Sequence, residues 1–255
     1  MTNTTQPAVA ISQRTVALTA GFALLVMAVL APFAYFGVLK TLVVPADATA
    51  TVNNIVASDG FFRAGIAAFL IVIILDIVVA WALYVLLKPV NRDLSMLVAW
   101  LRVAFAAVFA YALANLLDVA QLLGNTAYLV TLPREQLDVL VMSSVASFGN
   151  GWDIALALFG LHLVGLGVLL FRSTFCPRVL GVLVVIAGGG YLFETFGKIL
   201  VPDYSLSVSI VTFVGEALLI VWLFWTAIKG SPSTSEDPDG QVADLRPAHP
   251  ASVAS

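Results

Sequence analysis

The sequence predicts an all-α fold, a polytopic membrane bundle of six transmembrane helices, from its composition and its long apolar runs. The chain is 61% hydrophobic and 11% charged, with a mean hydropathy of +1.02. A soluble domain carries about 25% charged residues. A water-soluble core could not hide this much apolar surface, whereas the lipid bilayer, as the expected partner, can cover it.

Six apolar runs are each close to the roughly 20 residues that a helix needs to cross about 30 Å of hydrocarbon. The predicted spans are Thr15–Leu39, Arg63–Leu87, Leu94–Leu117, Ile154–Phe171, Arg178–Leu200 and Leu206–Ile228. The predicted membrane domain therefore covers residues 15–229, after an N-terminal segment of residues 1–14. Residues 230–255 are rich in Ser, Pro, Asp, Ala and Gly, which predicts a disordered tail because such a composition buries too little apolar area.

The distribution of Lys and Arg predicts the orientation of the bundle. With a cytoplasmic N-terminus, seven of these residues lie on the cytoplasmic side of the spans and four lie on the other side. Because cytoplasmic connections carry an excess of positive charge, both termini are expected to be cytoplasmic. The predicted location is the cell's inner (plasma) membrane, as a multi-pass protein.

The connection between the third and fourth spans, residues 118–153, contains a further helical pattern. After Pro133, four apolar residues recur at helical spacing: Leu137, Leu140, Val141 and Val145. This pattern predicts an amphipathic helix at the outer interface, acting either as a structural lid or as a ligand gate. Beyond it, Trp152 is expected to anchor in the interface, and Asp153 is expected to cap the fourth span.

Four ionisable residues fall inside the predicted spans, each on a different helix: Asp76, Arg102, His162 and Glu216. An ionisable group in hydrocarbon costs about 2.5–3.5 kcal/mol on insertion scales. The least costly arrangement points all four inward, with Arg102 donating to one or both carboxylates and His162 bridging to the remaining acid or to water. These residues are the candidate ligand-binding site. The alternatives are a structural ion pair that fixes helix register, and an Arg102 that extends to the headgroups.

A second set of polar residues lies further toward the outer side. Asn115 and Asp118 are three residues apart and share a helix face. Glu194 and Lys198 are four apart, in the order that favours an ion pair on one helix. We expect the first two to form a polar stripe and the last two to form an ion pair near the end of the fifth span.

Glycines recur in the fourth and fifth spans. They are Gly160, Gly165 and Gly167 in the fourth span, and Gly181 with Gly188-Gly189-Gly190 in the fifth. The run of three could also loosen the fifth helix or admit a ligand. Small residues let two membrane helices approach closely. The pattern therefore predicts a tight contact between the fifth span and a neighbouring helix.

The residue types present exclude several kinds of site. The single cysteine, Cys176, excludes an intrachain disulfide and a cysteine-based metal cluster. His162 is the one histidine in a predicted span, so neither a catalytic zinc site with three protein ligands nor a heme is expected, and no cofactor is assigned. A net charge of −3 without a large basic block excludes nucleic acid as an expected partner. No nucleophile motif stands out, which leaves enzymatic activity open.

Several short motifs, taken together, resemble a family of bacterial membrane proteins, domain of unknown function 4386. The motifs are Phe62-Arg63-Ala64-Gly65, Leu75-Asp76, Ala80-Trp81-Ala82-Leu83-Tyr84, Lys88-Pro89-Val90-Asn91, Ala99-Trp100-Leu101-Arg102, Gly151-Trp152, Phe159-Gly160-Leu161-His162-Leu163, and Pro177 with Leu180-Gly181. The resemblance covers about residues 15–228 and implies a six-helix integral membrane protein without an established activity. It places Asp76, Arg102 and His162 within recurring motifs and Glu216 outside them, and it implies an acid at the position of Glu194.

Three functions remain open at this point. The first is binding or transport of a small polar or anionic molecule, or of protons, through the mid-membrane cluster. The second is an intramembrane enzyme acting on a lipid or isoprenoid, with His162 or Asp76 as general base. The third is a structural or accessory subunit in which the cluster is only a staple, and which forms a stable complex with another membrane protein. Oligomerisation is compatible with each of the three.

Overall fold

The computed structural model describes residues 12–124, 133–202, 204, 206 and 209–229. Within the last range, the side chains of residues 209–214, 216, 227 and 229 lie outside the description. The predicted tail (230–255) and most of the N-terminal segment (1–14) also lie outside the described residues. All regular structure in the described part is helical, which confirms the predicted all-α class.

In the described residues, six long helices and three short helical segments follow one another. They are α1 (Gln13–Pro32), a π-helical segment (Phe33–Leu39), α2 (Lys40–Leu42), α3 (Ala48–Ala57), α4 (Asp59–Leu87), α5 (Arg92–Leu123), α6 (Arg134–Arg172), α7 (Arg178–Leu200) and α8 (Ser209–Lys229). The long helices pack in a closed ring in the order α1, α4, α5, α6, α7, α8 and back to α1. The ring surrounds an interior in which polar side chains are shielded from lipid.

Two ends of this bundle are distinguished below. The proximal face is the end at which α1 begins, and it includes the connections at residues 88–91 and 173–177. The distal face is the opposite end, and it includes α3 and the first turns of α6. Because successive long helices run in opposite directions, α1, α5 and α7 end at the distal face.

Within the part of the chain that the structure describes, five helices are long and apolar enough to cross a membrane, by length and composition. They are Gln13–Leu42, which combines α1 with the segments that continue it, Asp59–Leu87, Arg92–Leu123, Arg134–Arg172 and Arg178–Leu200. The sixth predicted span falls on α8, whose described residues include the shorter apolar helix Ala217–Thr226. The polytopic helical bundle that the sequence predicts is thereby confirmed.

The first span passes through Pro32 without ending there. Proline lacks the backbone N–H that an α-helix interior requires, and the helix continues beyond Pro32 as a seven-residue π-helical segment. Such wider turns are often found at functional sites. Here the segment carries Tyr35 and Phe36, which line the cavity described below.

The bounds predicted for the connection at residues 118–153 are wrong, although the helix predicted after Pro133 is present. Helix α5 continues to Leu123, and α6 is one continuous helix of 39 residues from Arg134, so Asp153 lies inside α6 and caps nothing. Gly151 does not end the helix because it serves a packing contact. A Cβ at Gly151 would lie 2.7 Å from the Cβ of Ala112 on α5.

The residues predicted to form a separate interfacial helix are the first turns of α6. At 1.5 Å per residue α6 is about 58 Å long, which exceeds the roughly 30 Å of hydrocarbon. Its distal turns pack against α3, which the sequence did not predict. Asp138 accepts hydrogen bonds from Thr49 (2.8 Å) and Arg134 (3.0 Å), and Arg134 also donates to Asn53 at 2.8 Å.

Helices α6 and α7 cross at paired glycines, which confirms the predicted close approach. A Cβ at Gly188 would lie 2.5 Å from the carbonyl oxygen of Gly160, and a Cβ at Gly167 would lie 2.6 Å from that of Gly181. The pairs Gly160–Gly188 and Gly167–Gly181 are seven residues apart on each helix, so both fall on the same seam. This seam fixes the position of α6 against α7.

We predict that Gly188→Ala destabilises the protein, because the new methyl group must push α6 away from α7. Overpacking of this kind costs about 1–3 kcal/mol. The measurement is the midpoint of thermal unfolding in detergent, read by size-exclusion chromatography after heating. Gly189→Ala is the matched control, since a Cβ there meets nothing within 4 Å. Equal losses in the two variants would contradict the assigned role of the seam.

Candidate functional site: a buried ion pair beside two adjoining chambers

Asp76 of α4 and Arg102 of α5 form an ion pair in the interior of the ring. Arg102 Nη2 lies 2.7 Å from Asp76 Oδ1, and the two side chains are 2% and 0% exposed. The contact is close but is not an aligned hydrogen bond, because both Asp76 oxygens and Arg102 Nε lack a hydrogen-bond partner among the described residues. Arg102 therefore lies inside the bundle and does not extend to the headgroups.

His162 of α6 contacts the second terminal nitrogen of the guanidinium. His162 Nε2 lies 3.2 Å from Arg102 Nη1, and His162 Nδ1 lies 2.8 Å from the carbonyl oxygen of Val98. A carbonyl can only accept and a guanidinium can only donate. His162 is therefore the neutral tautomer with its proton on Nδ1. The sequence predicted that His162 would bridge to the remaining acid or to water, whereas its Nε2 accepts a hydrogen bond from Arg102.

Phe159, one helical turn before His162, covers one face of the guanidinium. Arg102 Cζ lies 5.5 Å from the centroid of the Phe159 ring, a cation–π distance, and the Phe159 ring stacks on His162 at 5.8 Å. Arg102 is thus held by a carboxylate, an imidazole and an aromatic face. The donor left without a partner among the described residues is Nε.

A cavity of about 180 Å³, the inner chamber, lies beside this ion pair. Asp76 and Arg102 form the polar part of its wall, and aromatic and aliphatic side chains from the other helices form the rest, including Phe105, Phe109, Leu163 and Leu219. The unpartnered atoms of the ion pair belong to residues that line this chamber. Such atoms are costly in hydrocarbon unless a water or a ligand bonds to them.

A second cavity of about 390 Å³, the outer chamber, lies on the distal side of the first. The two chambers share four lining residues: Ala31, Trp152, Leu156 and Tyr191. Tyr35 and Phe36 of the π-helical segment contribute further aromatic walls, and the Tyr35 ring stacks on Trp152 at 5.8 Å. The shared walls make the two chambers adjoining cavities on the distal side of the ion pair.

Three charged side chains meet in the outer chamber. Lys198 Nζ lies 2.8 Å from Asp153 Oδ1 on α6 and 3.1 Å from Glu194 Oε1 on its own helix, which confirms the predicted Glu194–Lys198 ion pair. These side chains are 12–37% exposed, so they are partly hydrated. Lys198 therefore links α6 to α7 across the chamber.

The remaining predicted residues do not join this site. Asn115 donates to the carbonyl oxygen of Ala112 on its own helix, and Asp118 is exposed, so neither lines the chambers. Glu216 lies on α8, and its side chain is outside the described part. No group of three His, Cys, Asp or Glu side chains in the described part could hold a metal ion.

Sequence reasoning missed the aromatic walls of the site. Trp152 is not an interface anchor, since it packs inside the bundle, with its ring 4.6 Å from that of Phe109 and 5.5 Å from that of Phe69. The missed signal was the helical spacing of Trp152, Phe159 and His162, which places them on one face of a continuous α6. Because a helix start was expected at Asp153, Trp152 was not placed on the same helix face as Phe159 and His162.

We predict that Arg102→Met destabilises the protein strongly, because it leaves the Asp76 carboxylate buried without a counter-charge. Breaking a buried pair in this way costs about 3–5 kcal/mol, and adding Asp76→Leu should recover most of the loss. The measurement is the free energy of unfolding in mixed detergent micelles. Arg63→Met is the control, since the Asp59–Arg63 pair is about half exposed and should be worth about 1 kcal/mol or less. An Arg102→Met protein as stable as the unaltered chain would refute the pairing.

We also predict that His162 carries its proton on Nδ1, since Val98 and Arg102 fix the roles of both ring nitrogens. The measurement is the pair of ¹⁵N chemical shifts of the imidazole by NMR, with His249→Ala used to remove the signal of the second histidine in the chain. A proton on Nε2, or on both nitrogens, would contradict the described contact with Arg102.

Comparison with known proteins places this arrangement in a family without an assigned activity. An uncharacterized protein of Archaeoglobus fulgidus is 33% identical over 165 residues, covering 65% of this chain and 83% of the relative. No solved structure matches the chain. The family model described as "Domain of unknown function (DUF4386)" matches residues 19–227. The chain therefore belongs to the DUF4386 family of uncharacterised proteins.

Proposed function

We propose that this integral membrane protein binds a small polar molecule, which passes through the outer chamber and reaches the Asp76–Arg102 pair. The observation that carries the proposal is the position of the two adjoining chambers relative to the ion pair. Two chambers with four common lining residues lead to a buried ion pair that retains unpartnered donor and acceptor atoms. Concave sites with apolar walls and a few convergent polar groups are typical of small-molecule binding.

The charge content of the site supports this function over a purely structural pair. A pair that only fixes helix register gains most when every lone pair and N–H is satisfied. Here Asp76 Oδ2 and Arg102 Nε are buried without hydrogen-bond partners among the described residues, and both residues line the inner chamber. That combination is costly for stability and useful for binding. An enzyme acting on lipid and an accessory subunit gain no comparable support from the described residues.

The proposal extends to sidedness. With cytoplasmic termini, as the Lys and Arg distribution predicts, the distal face and the outer chamber lie on the extracytoplasmic side. Asp153, Glu194 and Lys198 then form a hydrated, charged vestibule, while the ion pair lies deeper, behind the aromatic rings. A ligand would lose its water in stages as it moves from one chamber to the next.

The accessibility of Leu156 tests this function, because Leu156 lines both chambers. We expect Leu156→Cys, in a Cys176→Ser background, to react with a small membrane-impermeant thiol reagent added to the distal side. Ile154→Cys is the matched control, since Ile154 is two residues away on α6 and 54% exposed on the outer surface of the bundle, where lipid excludes the reagent.

The Cys176→Ser change removes the native thiol, although this thiol should react little in any case. Burial raises the pKa of the Cys176 thiol to about 12, so the thiol stays protonated and unreactive at neutral pH. Failure of Leu156→Cys to react faster than Ile154→Cys would refute a hydrated path. Reaction only from the proximal side would refute the proposed orientation.

A further inference from the structure

We infer that the inner chamber selects an electrically neutral ligand whose polar group both donates and accepts hydrogen bonds, such as a carboxamide or an alcohol on a small apolar body. This inference rests on the proposed function and names the chemical class of its ligand. It narrows the range from any polar or anionic molecule to one without a net charge. Three features of the described residues carry it.

The first feature is the charge balance of the inner chamber. Among the described side chains that meet here, Asp76 supplies one negative charge, Arg102 supplies one positive charge, and the hydrogen bonds of His162 fix it as neutral. An anion or a cation bound beside this pair would leave an uncompensated charge in a low-dielectric interior, which is strongly unfavourable. A neutral ligand avoids that penalty.

The second feature is the kind of polar atom that lacks a partner. Asp76 Oδ2 can only accept a hydrogen bond, and Arg102 Nε–H can only donate one. They belong to the same two groups that meet at Nη2 and Oδ1, and both residues line the inner chamber. A carboxamide offers an N–H to Asp76 and a carbonyl oxygen to Arg102, whereas a carboxylate would place oxygen against oxygen.

The third feature is the size and lining of the chamber. Its volume of about 180 Å³ is close to that of an engineered apolar cavity of about 150 Å³ that binds benzene. Phe105, Phe109 and Leu163 supply apolar walls for a flat ligand body. Trp152 and Tyr191, shared with the outer chamber, extend the aromatic surface along the path.

A set of four near-isosteric probes tests this inference: benzamide (neutral, donor and acceptor), benzoate (anion), benzylammonium (cation) and toluene (no hydrogen-bonding group). The readout is the protection of Leu156→Cys, in full-length protein in lipid nanodiscs, against the thiol reagent at pH 7. We expect benzamide to protect at a concentration at least tenfold lower than any of the other three. A site built to hydrogen-bond a ligand discriminates strongly against analogues that leave its buried groups unpaired.

Each other ranking overturns the inference. Best protection by benzoate would show an anion site, and best protection by benzylammonium would show an acid beyond the described side chains that dominates the charge. Best protection by toluene, or protection by none of the probes, would show that the polar pair does not select the ligand. In all these cases the labelling of Leu156→Cys without a probe still reports on the proposed function. The proposed function and the inferred class of ligand can therefore fail separately.

The variant Asp76→Asn supplies a second measurement, since it keeps the size of the side chain and removes its charge. We expect the concentration of benzamide needed for protection, measured relative to the labelling of the same variant without probe, to rise at least tenfold. Asp118→Asn is the matched control, as an exposed acid on α5 outside the chambers. An unchanged benzamide concentration in Asp76→Asn would overturn the assignment of the acceptor. If Asp76→Asn does not fold, the probe ranking in the chain that retains Asp76 decides alone.

Discussion

The arrangement of this bundle depends on one constraint: a charge in hydrocarbon must be compensated within the protein. Arg102 cannot lose its proton, so α5 can occupy the membrane only if an acid meets it. Asp76 on α4 supplies that acid at 2.7 Å, and the pair therefore fixes the axial position of α4 against α5. The ring order follows from this contact together with the short connections, because each long helix packs beside its neighbour in sequence.

The opposite side of the ring supports the same site through close backbone contact. Gly160 lies between Phe159 and His162 on α6, and its contact with Gly188 fixes the level of α6 against α7. His162 then meets Arg102 and the Val98 carbonyl on α5, while Tyr191 on α7 packs edge-on to Phe159 at 5.5 Å. A residue without a side chain thus sets the geometry of the charged groups, since a larger residue would move Phe159 and His162 together.

The elements that sequence predicted correctly are those controlled by local energetics. Apolar runs located the spans because the cost of hydrocarbon acts on each residue separately, and the same cost marked Asp76, Arg102 and His162. The hydrogen-bond partners of His162 were not predictable from the sequence. Its two ring nitrogens could bond to an acid or to water, and in the structure they bond to Arg102 and to the carbonyl oxygen of Val98. The continuity of α6 was missed because Gly149 and Gly151 are typical of a helix break. In the folded chain Gly151 instead meets Ala112, and tertiary packing overrides the local preference.

The hydrogen-bonding atoms that lack a described partner distinguish this ion pair from one that only holds two helices together. Carboxylate and guanidinium can form two parallel hydrogen bonds, which would use Asp76 Oδ2 and Arg102 Nε and close the space between them. His162 and Phe159 hold the guanidinium from two other directions, so that Arg102 meets Asp76 through Nη2 while its Nε has no hydrogen-bond partner among the described residues. These contacts leave one donor and one acceptor without a described partner, on two residues that line the inner chamber. In the proposed function, a molecule that completes the pair recovers as binding energy the stability that is lost in this way.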